Sequence, residues 1–167
     1  MKIHAFPKRL VFSFGVILFI TGVAKIWSSF GSSKFLATPD PVIGIAFSHL
    51  MLATGLLELG IAFICWRCSC RTKSIRLATF LVAWLSTIFL GYRLGMWWMH
   101  WKRPCGCLGN LTDALHISPV LADDIMKVVL AYLFISSYGL LGLLIRQWMK
   151  GRSARTITPE TALTQSK

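Results

Sequence analysis

The feature that most constrains the fold of this chain is a set of four long apolar runs separated by polar connections. The runs cover residues 10–30, 42–66, 77–98 and 125–148. Each is close to the roughly 20 residues that a helix needs to cross a bilayer. Only 14% of the residues are charged, whereas soluble proteins carry about 25%. The sequence therefore predicts a one-domain, all-α membrane protein with four transmembrane helices.

Positive charge is distributed unevenly over the ends of these runs. Three Lys or Arg residues precede the first run, four lie at 67–76 and five lie from 146 onward. The other two connections hold only Lys34, Lys102 and Arg103. Because cytoplasmic connections carry an excess of Lys and Arg, we expect an up-down bundle with both termini in the cytoplasm. The formal charge of +12 then orients the protein in its membrane, and we expect no nucleic-acid partner.

These signals divide the chain into three parts. We predict a cytoplasmic N-terminus at 1–9, a four-helix domain at 10–150 and a disordered cytoplasmic tail at 151–167. The helices are expected at about 10–30, 42–66, 77–98 and 119–149. A cleavable signal peptide is the less favoured interpretation of the first run, because that run is long, contains Lys25 and lacks a clear cleavage motif.

The start of the fourth helix has its own signals. Ser118 followed by Pro119 is typical of an N-cap and a first helical position. Asp123 and Asp124 in the early turns suit the helix dipole. Asp123 can also pair with Lys127 at the i,i+4 spacing. The helix is therefore predicted to begin near Pro119, before the chain enters the lipid.

The connection between the third and fourth helices contains Cys105-Gly106-Cys107. The charge distribution predicts that this loop lies outside the cytoplasm, where neighbouring cysteines are expected to form disulfides. A ring closed over one residue is strained, and a strained, exposed disulfide exchanges readily. A structural disulfide and a metal site are the alternatives, although a zinc site needs about four ligands and only His100 and His116 lie nearby. We predict that Cys105 and Cys107 form a redox pair and that no metal is bound.

Four ionisable residues fall inside the apolar runs: Lys25, His49, Glu58 and Arg93. A charge at the bilayer centre costs at least about 2.5–3.5 kcal/mol, so such residues usually face the bundle interior and pair. Lys25 and Arg93 could instead extend their charged ends toward the headgroups. Glu58 cannot easily do so, and we expect it either to pair with Lys25 or Arg93 or to handle protons.

Two further groups of residues stand out. Glycines at 22, 55, 91, 139 and 142 are predicted to mark close helix contacts, as small residues do in membranes. Cys65, Cys68 and Cys70 lie at the cytoplasmic end of the second helix and are expected to be free thiols there. Palmitoylation or metal binding is conceivable for them, but the favoured interpretation is that they have no specific role.

Three short motifs occur in a familiar order: TGVAK at 21–25, LELG at 57–60 and PCGCLG at 104–109. Over about residues 10–148 the chain resembles the methylamine utilisation protein MauE family, within the DoxX-like group of four-helix membrane proteins. The resemblance implies a bacterial inner-membrane protein with a periplasmic Cys-x-Cys that takes part in maturing methylamine dehydrogenase or in a related redox process. Leu108 stands where the family more often has Phe, and the cysteines at 65–70 are not part of its pattern.

Two functions from different classes follow. In the first, Cys105 and Cys107 exchange disulfides with a thioredoxin-like protein or a disulfide-rich client. Lys25, Glu58 and Arg93 then shape the interior of the bundle or pass protons and electrons toward a quinone. Oxidases similar to vitamin K epoxide reductase use two external cysteine pairs, so a chain with one pair would need a partner protein. In the second, the protein is a non-catalytic assembly factor or anchor subunit of a periplasmic or respiratory complex. A small-solute permease ranks last, because four helices leave little room for a pore.

Overall fold

The computed structural model describes residues 5–30, 39–40, 43–69, 74–99 and 118–156. These residues form four α-helices, α1 (Ala5–Ser29), α2 (Phe47–Ser69), α3 (Ile75–Trp98) and α4 (Pro119–Thr156). Each helix contains a segment long and apolar enough to cross a membrane. The predicted all-α class and the four candidate membrane helices are thereby confirmed. Four such helices are typical of a multi-pass membrane protein.

The helix bounds differ from the expected ones by five residues or more at three places. Helix α1 begins at Ala5 rather than at residue 10, because a proline such as Pro7 is tolerated in the first turn. Helix α2 begins at Phe47 rather than near 42, since a turn with Gly44 at φ 77° precedes it. Helix α4 continues to Thr156, so residues 151–156, predicted as the start of the tail, are helical. The rest of that tail lies outside the described residues.

Helices α1 and α2 form the most extensive pair, and glycines permit their close approach. A Cβ atom on Gly22 would lie 3.0 Å from the carbonyl oxygen of Gly55, and a Cβ on Gly55 would lie 2.8 Å from Cγ1 of Ile26. The predicted contact at these two glycines is confirmed. By contrast, among the described residues a Cβ added at Gly91, Gly139 or Gly142 would meet no atom within 4 Å, so the close contacts expected there are not observed.

The apolar core lies toward the end of the bundle that holds the start of α1. It joins the first half of α1, the second half of α2, the first half of α3 and the middle of α4, through Val11, Phe14, Leu18, Ile61, Ala62, Cys65, Cys68, Ile75, Ala78, Val82, Leu85, Leu133 and Leu140. Helix α3 packs mainly on α4. Tyrosine hydroxyls add polar links, from Tyr138 to Thr87 at 2.8 Å and from Tyr132 to Ser13 at 3.0 Å.

The outer surface of the helices is apolar. Large side chains such as Phe12, Leu56 and Ile135 are more than half exposed, at 54%, 57% and 70%. Trp27, near the end of α1, and Trp97, near the end of α3, are exposed by 68% and 77%. Exposed aliphatic side chains suit contact with lipid tails, and tryptophans near helix ends suit the membrane–water interface.

Candidate functional site

Polar side chains gather at the end of the bundle opposite the apolar core. Three contacts between elements define this end: the ammonium of Lys25 lies 4.2 Å from the ring centroid of Phe89, the hydroxyl of Tyr92 donates to Asp40, and Nη1 of Arg93 lies 2.6 Å from Oδ1 of Asp123. They join the last turns of α1 and α3, the chain just before α2 and the first turns of α4. The polar residues at this end are called the polar cluster: Lys25, Asp40, Glu58, Tyr92, Arg93, Asp123 and Lys127.

The deepest element of the polar cluster is an ion pair between α1 and α2. Nζ of Lys25 donates to Oε1 of Glu58, and the two residues are only 6% and 1% exposed. The second carboxylate oxygen, Oε2, has no hydrogen-bond partner among the described residues. The close contact of Gly22 with Gly55 lies one turn away on each helix, which brings the two charged chains within reach. Of the two partners that the sequence allowed for Glu58, the structure therefore selects Lys25.

A second ionic group joins α3 to α4. Asp123 accepts contacts from Arg93 through Oδ1 at 2.6 Å and from Lys127 through Oδ2 at 2.9 Å. Lys127 also reaches Asp124 at 2.8 Å. The predicted i,i+4 pair is confirmed, and Ser118 caps the helix by accepting the amide of Leu121 at 3.3 Å. Sequence reasoning missed the Arg93–Asp123 pair, although the two residues lie at similar depths on either side of one connection.

Asp40 also belongs to the polar cluster, although its position between Pro39 and Pro41 indicates only a turn. It is 1% exposed. Its Oδ1 accepts the amide of Ile43 at 3.0 Å, its Oδ2 accepts the hydroxyl of Tyr92, and its main chain bonds to Gly44 and Ile45 at 2.8 Å. This pattern is typical of an Asp-initiated turn. Asp40 therefore fixes the chain entering α2 against the end of α3.

A cavity of about 200 Å³ lies within the polar end. Its walls come from all four helices and from the turn before α2. They are almost entirely apolar, and their larger members are Phe47, Leu50, Met51, Ile88, Phe89 and Met126. Among the described lining residues, Lys25 and Arg93 are the charged ones, and Tyr92 and Thr54 supply hydroxyls. The site is thus a hydrophobic space with two cationic side chains at its wall.

The residues predicted to carry chemistry divide into two groups. Lys25 and Arg93 line this cavity, and Glu58 pairs with Lys25 beside it. By contrast, Cys105 and Cys107 lie outside the described residues, as do Cys70, His100 and His116. His49 is exposed rather than turned inward. Cys65 and Cys68 are free and buried in the apolar core. Within the described ranges no three His, Cys, Asp or Glu residues are grouped as metal ligands would be.

No family model, curated protein or solved structure matches this chain. The motifs of the sequence and the geometry of the polar end are therefore the indications of function. That end offers two cationic donors beside apolar walls, with their charges balanced by Glu58 and Asp123. Such a site can hold an uncharged molecule or rigidify the helices.

Proposed function

We propose that this protein is a bacterial inner-membrane protein whose Cys105 and Cys107 exchange disulfides with a periplasmic protein. The client would be a disulfide-rich redox enzyme, such as methylamine dehydrogenase during its maturation, or a thioredoxin-like carrier. The motif order at 21–25, 57–60 and 104–109 supports this class of function. The polar cluster supplies the structural argument.

The observation that carries the proposal is the Arg93–Asp123 ion pair at 2.6 Å. Arg93 lies six residues before Met99, and Asp123 lies five residues after Ser118. The pair therefore ties together the two helix ends from which the cysteine-bearing connection leaves. Cys105 follows Met99 by six residues, so the covalent chain keeps it within about 20 Å of the end of α3. A dithiol tethered there suits exchange with a protein docking on that face.

The order of contacts along the helices supports the up-down topology that this function requires. Along α1 and α2, the Ser69 hydroxyl donates to the carbonyl oxygen of Lys8 at 3.3 Å. A Cβ at Gly15 would lie 2.8 Å from the Trp66 ring, and Gly22 faces Gly55. The partners fall in reverse chain order. Combined with the positive charge near both termini, this supports cytoplasmic termini and a periplasmic 99–118 connection.

The proposed exchange consists of two successive thiol–disulfide steps. A client thiolate attacks one sulfur of the Cys105–Cys107 disulfide, which breaks that S–S bond and forms a mixed disulfide. The second client thiolate then attacks the client sulfur of the mixed disulfide and releases Cys105 and Cys107 as a dithiol. The client is oxidised by two electrons, and the protein is reduced by two. A ring closed over a single glycine makes such a disulfide a reactive one.

The test compares Cys105→Ser/Cys107→Ser with Cys65→Ser/Cys68→Ser in the native host. The first variant is expected to accumulate reduced client, measured by alkylation and mass spectrometry of periplasmic proteins. The second should match the wild type, since Cys65 and Cys68 are buried in the apolar core. Unchanged client disulfides in the first variant would refute the proposal.

A non-catalytic assembly role is the second candidate, and the rigidity of the polar end favours it. Ion pairs join α1 to α2 through Lys25 and Glu58 and α3 to α4 through Arg93 and Asp123. A rigid helix bundle of this kind suits an anchor subunit. This candidate predicts that Gly55→Leu, which would place a large side chain against α1, abolishes assembly of the partner complex. The Cys105→Ser/Cys107→Ser variant would then retain assembly.

A further inference from the structure

The cavity in the polar end has the size of a single substituted ring. Its volume is about 200 Å³, and a dry protein cavity of about 150 Å³ holds benzene. Aromatic side chains line it, Phe47 and Phe89 among them, and these favour stacked or edge-on contact with another ring. A whole phospholipid is far larger than this space.

The charges around the cavity favour an uncharged ligand. Lys25 and Arg93 line it, but each is already matched, by Glu58 and by Asp123 at 2.6 Å. No acidic side chain is among the described lining residues. An anionic ligand would have to compete with two internal carboxylates, whereas a neutral acceptor would leave both pairs intact.

Both cations nevertheless retain hydrogen-bond donors. A lysine ammonium has three N–H groups and an arginine guanidinium has five. The contacts of Lys25 within the described part of the chain are to Glu58 and to the Phe89 ring. Arg93 uses Nη1 for Asp123. Each can therefore donate to a carbonyl oxygen of a molecule in the cavity.

The rim of the cavity indicates where a ligand would enter. Ile43 and Ile88 line the cavity and are also 49% and 44% exposed. Apolar side chains at an opening favour entry from the hydrocarbon of the bilayer rather than from water. The ligand is thus expected to be lipid-soluble, uncharged, built on one ring and equipped with carbonyl acceptors.

We propose that this cavity binds the ring of a lipid-soluble quinone. The inference rests on the proposed function, because it names the acceptor that would regenerate its disulfide. When Cys105 and Cys107 are reoxidised, two S–H bonds break and one S–S bond forms, and the two electrons and two protons convert the quinone to the quinol.

The test uses the full chain in lipid nanodiscs and a photoreactive azidobenzoquinone with a short alkyl tail. Covalent labelling is quantified and mapped by mass spectrometry over a range of quinone concentrations. We expect saturable labelling at α2 residues 47–54 or α3 residues 88–93, abolished by excess unlabelled quinone. Leu50→Trp should fill the cavity and raise the half-saturating concentration at least tenfold. Leu56→Trp, on the same helix but 57% exposed, should change it less than twofold.

Met126→Trp, which lines the cavity from α4, provides the same test should Leu50→Trp fail to fold. Labelling that unlabelled quinone does not displace, or equal labelling of the cavity-filling and Leu56→Trp variants, would overturn the site. Displacement by equimolar decanoate would overturn the preference for a neutral ligand. Because Cys105→Ser/Cys107→Ser should bind quinone normally, unchanged client oxidation in that variant, with its quinone labelling intact, refutes the proposed function alone. If the wild-type protein oxidises its client but shows no saturable quinone labelling at the cavity, this inference alone is refuted.

Discussion

Lys25 of α1 and Glu58 of α2 form a buried ion pair one helical turn from the contact between Gly22 and Gly55. The pair and the glycines depend on each other. Without the close approach the two charged groups could not meet, and without the pair each helix would carry an isolated charge in an apolar interior. The motifs that carry the family resemblance at 21–25 and 57–60 therefore encode one piece of structure.

The first prediction concerns this pair. Glu58→Gln leaves Lys25 without its carboxylate, and removing one partner of a buried ion pair costs about 3–5 kcal/mol. The free energy of unfolding in mixed micelles should fall by that amount. Lys25→Met/Glu58→Met, which removes both charges, should recover most of the loss because apolar replacement of a buried pair is often neutral. A double variant as unstable as the single one would contradict the account.

The second prediction concerns the glycines. Gly55→Ala places a methyl group 2.8 Å from the Ile26 side chain and 3.0 Å from the Gly22 carbonyl oxygen, so α1 and α2 must separate and stability should drop. Gly91→Ala meets no described atom within 4 Å and should be stabilising by about 1 kcal/mol or less, from helix propensity. Thermal unfolding of the two variants in one lipid provides the comparison. A loss of stability in Gly91→Ala equal to that in Gly55→Ala would show that the close contact does not matter.

The third prediction separates two neighbouring acids. Asp123→Asn weakens the link to Arg93 and therefore the α3–α4 contact near the cysteine-bearing connection. Asp124→Asn removes only the pair with Lys127, in which both side chains are more than half exposed, at 59% and 57%. Such surface pairs contribute about 0–1 kcal/mol. Double electron–electron resonance between spin labels on α3 and α4 should broaden for Asp123→Asn and stay narrow for Asp124→Asn. The opposite order would be inconsistent with the structure.

The fourth prediction concerns the turn before α2. Tyr92→Phe removes the hydroxyl that donates to Asp40, and a hydrogen bond to a charged group contributes about 1.5–3 kcal/mol. The amides of Ile43 and Gly44, both bonded to Asp40, should exchange with deuterium at least severalfold faster. Tyr132→Phe loses a hydroxyl bonded to Ser13 instead and should leave these two amides unchanged. Equal exchange in the wild type and Tyr92→Phe would show that Asp40 holds the turn without help from α3.

The sequence predicted the existence of the four helices well because each is a long apolar run. Ser118 and Pro119 marked the start of α4 correctly, and Glu58 was expected to find a cationic partner because an unpaired charge in an apolar interior is costly. The spacing of Asp123 and Lys127 predicted their pair, since that contact depends only on one helix. Gly22 and Gly55 were predicted as contact points because small residues mark close helix packing in membranes.

The remaining features depend on how separate elements meet, which a single sequence does not specify. The Arg93–Asp123 pair, the Asp40–Tyr92 bond and the cavity each require knowledge of which helix faces which. Gly91, Gly139 and Gly142 have the same local pattern as the packed glycines, but an added Cβ at each would meet no described atom within 4 Å. The start of α2 was missed because the turn before Phe47 is held by Asp40, whose carboxylate accepts a hydrogen bond from Tyr92 of α3.

The central claim is that the Cys105–Cys107 pair turns over in the periplasm. The most direct measurement is the thiol state of these two residues in growing cells, trapped by acid and alkylation before, during and after a brief pulse of dithiothreitol. The account predicts a disulfide that is reduced by the pulse and re-forms within minutes, and that is labelled by a membrane-impermeant maleimide only while reduced. Thiols that stay reduced throughout, or a disulfide that never opens, would contradict it.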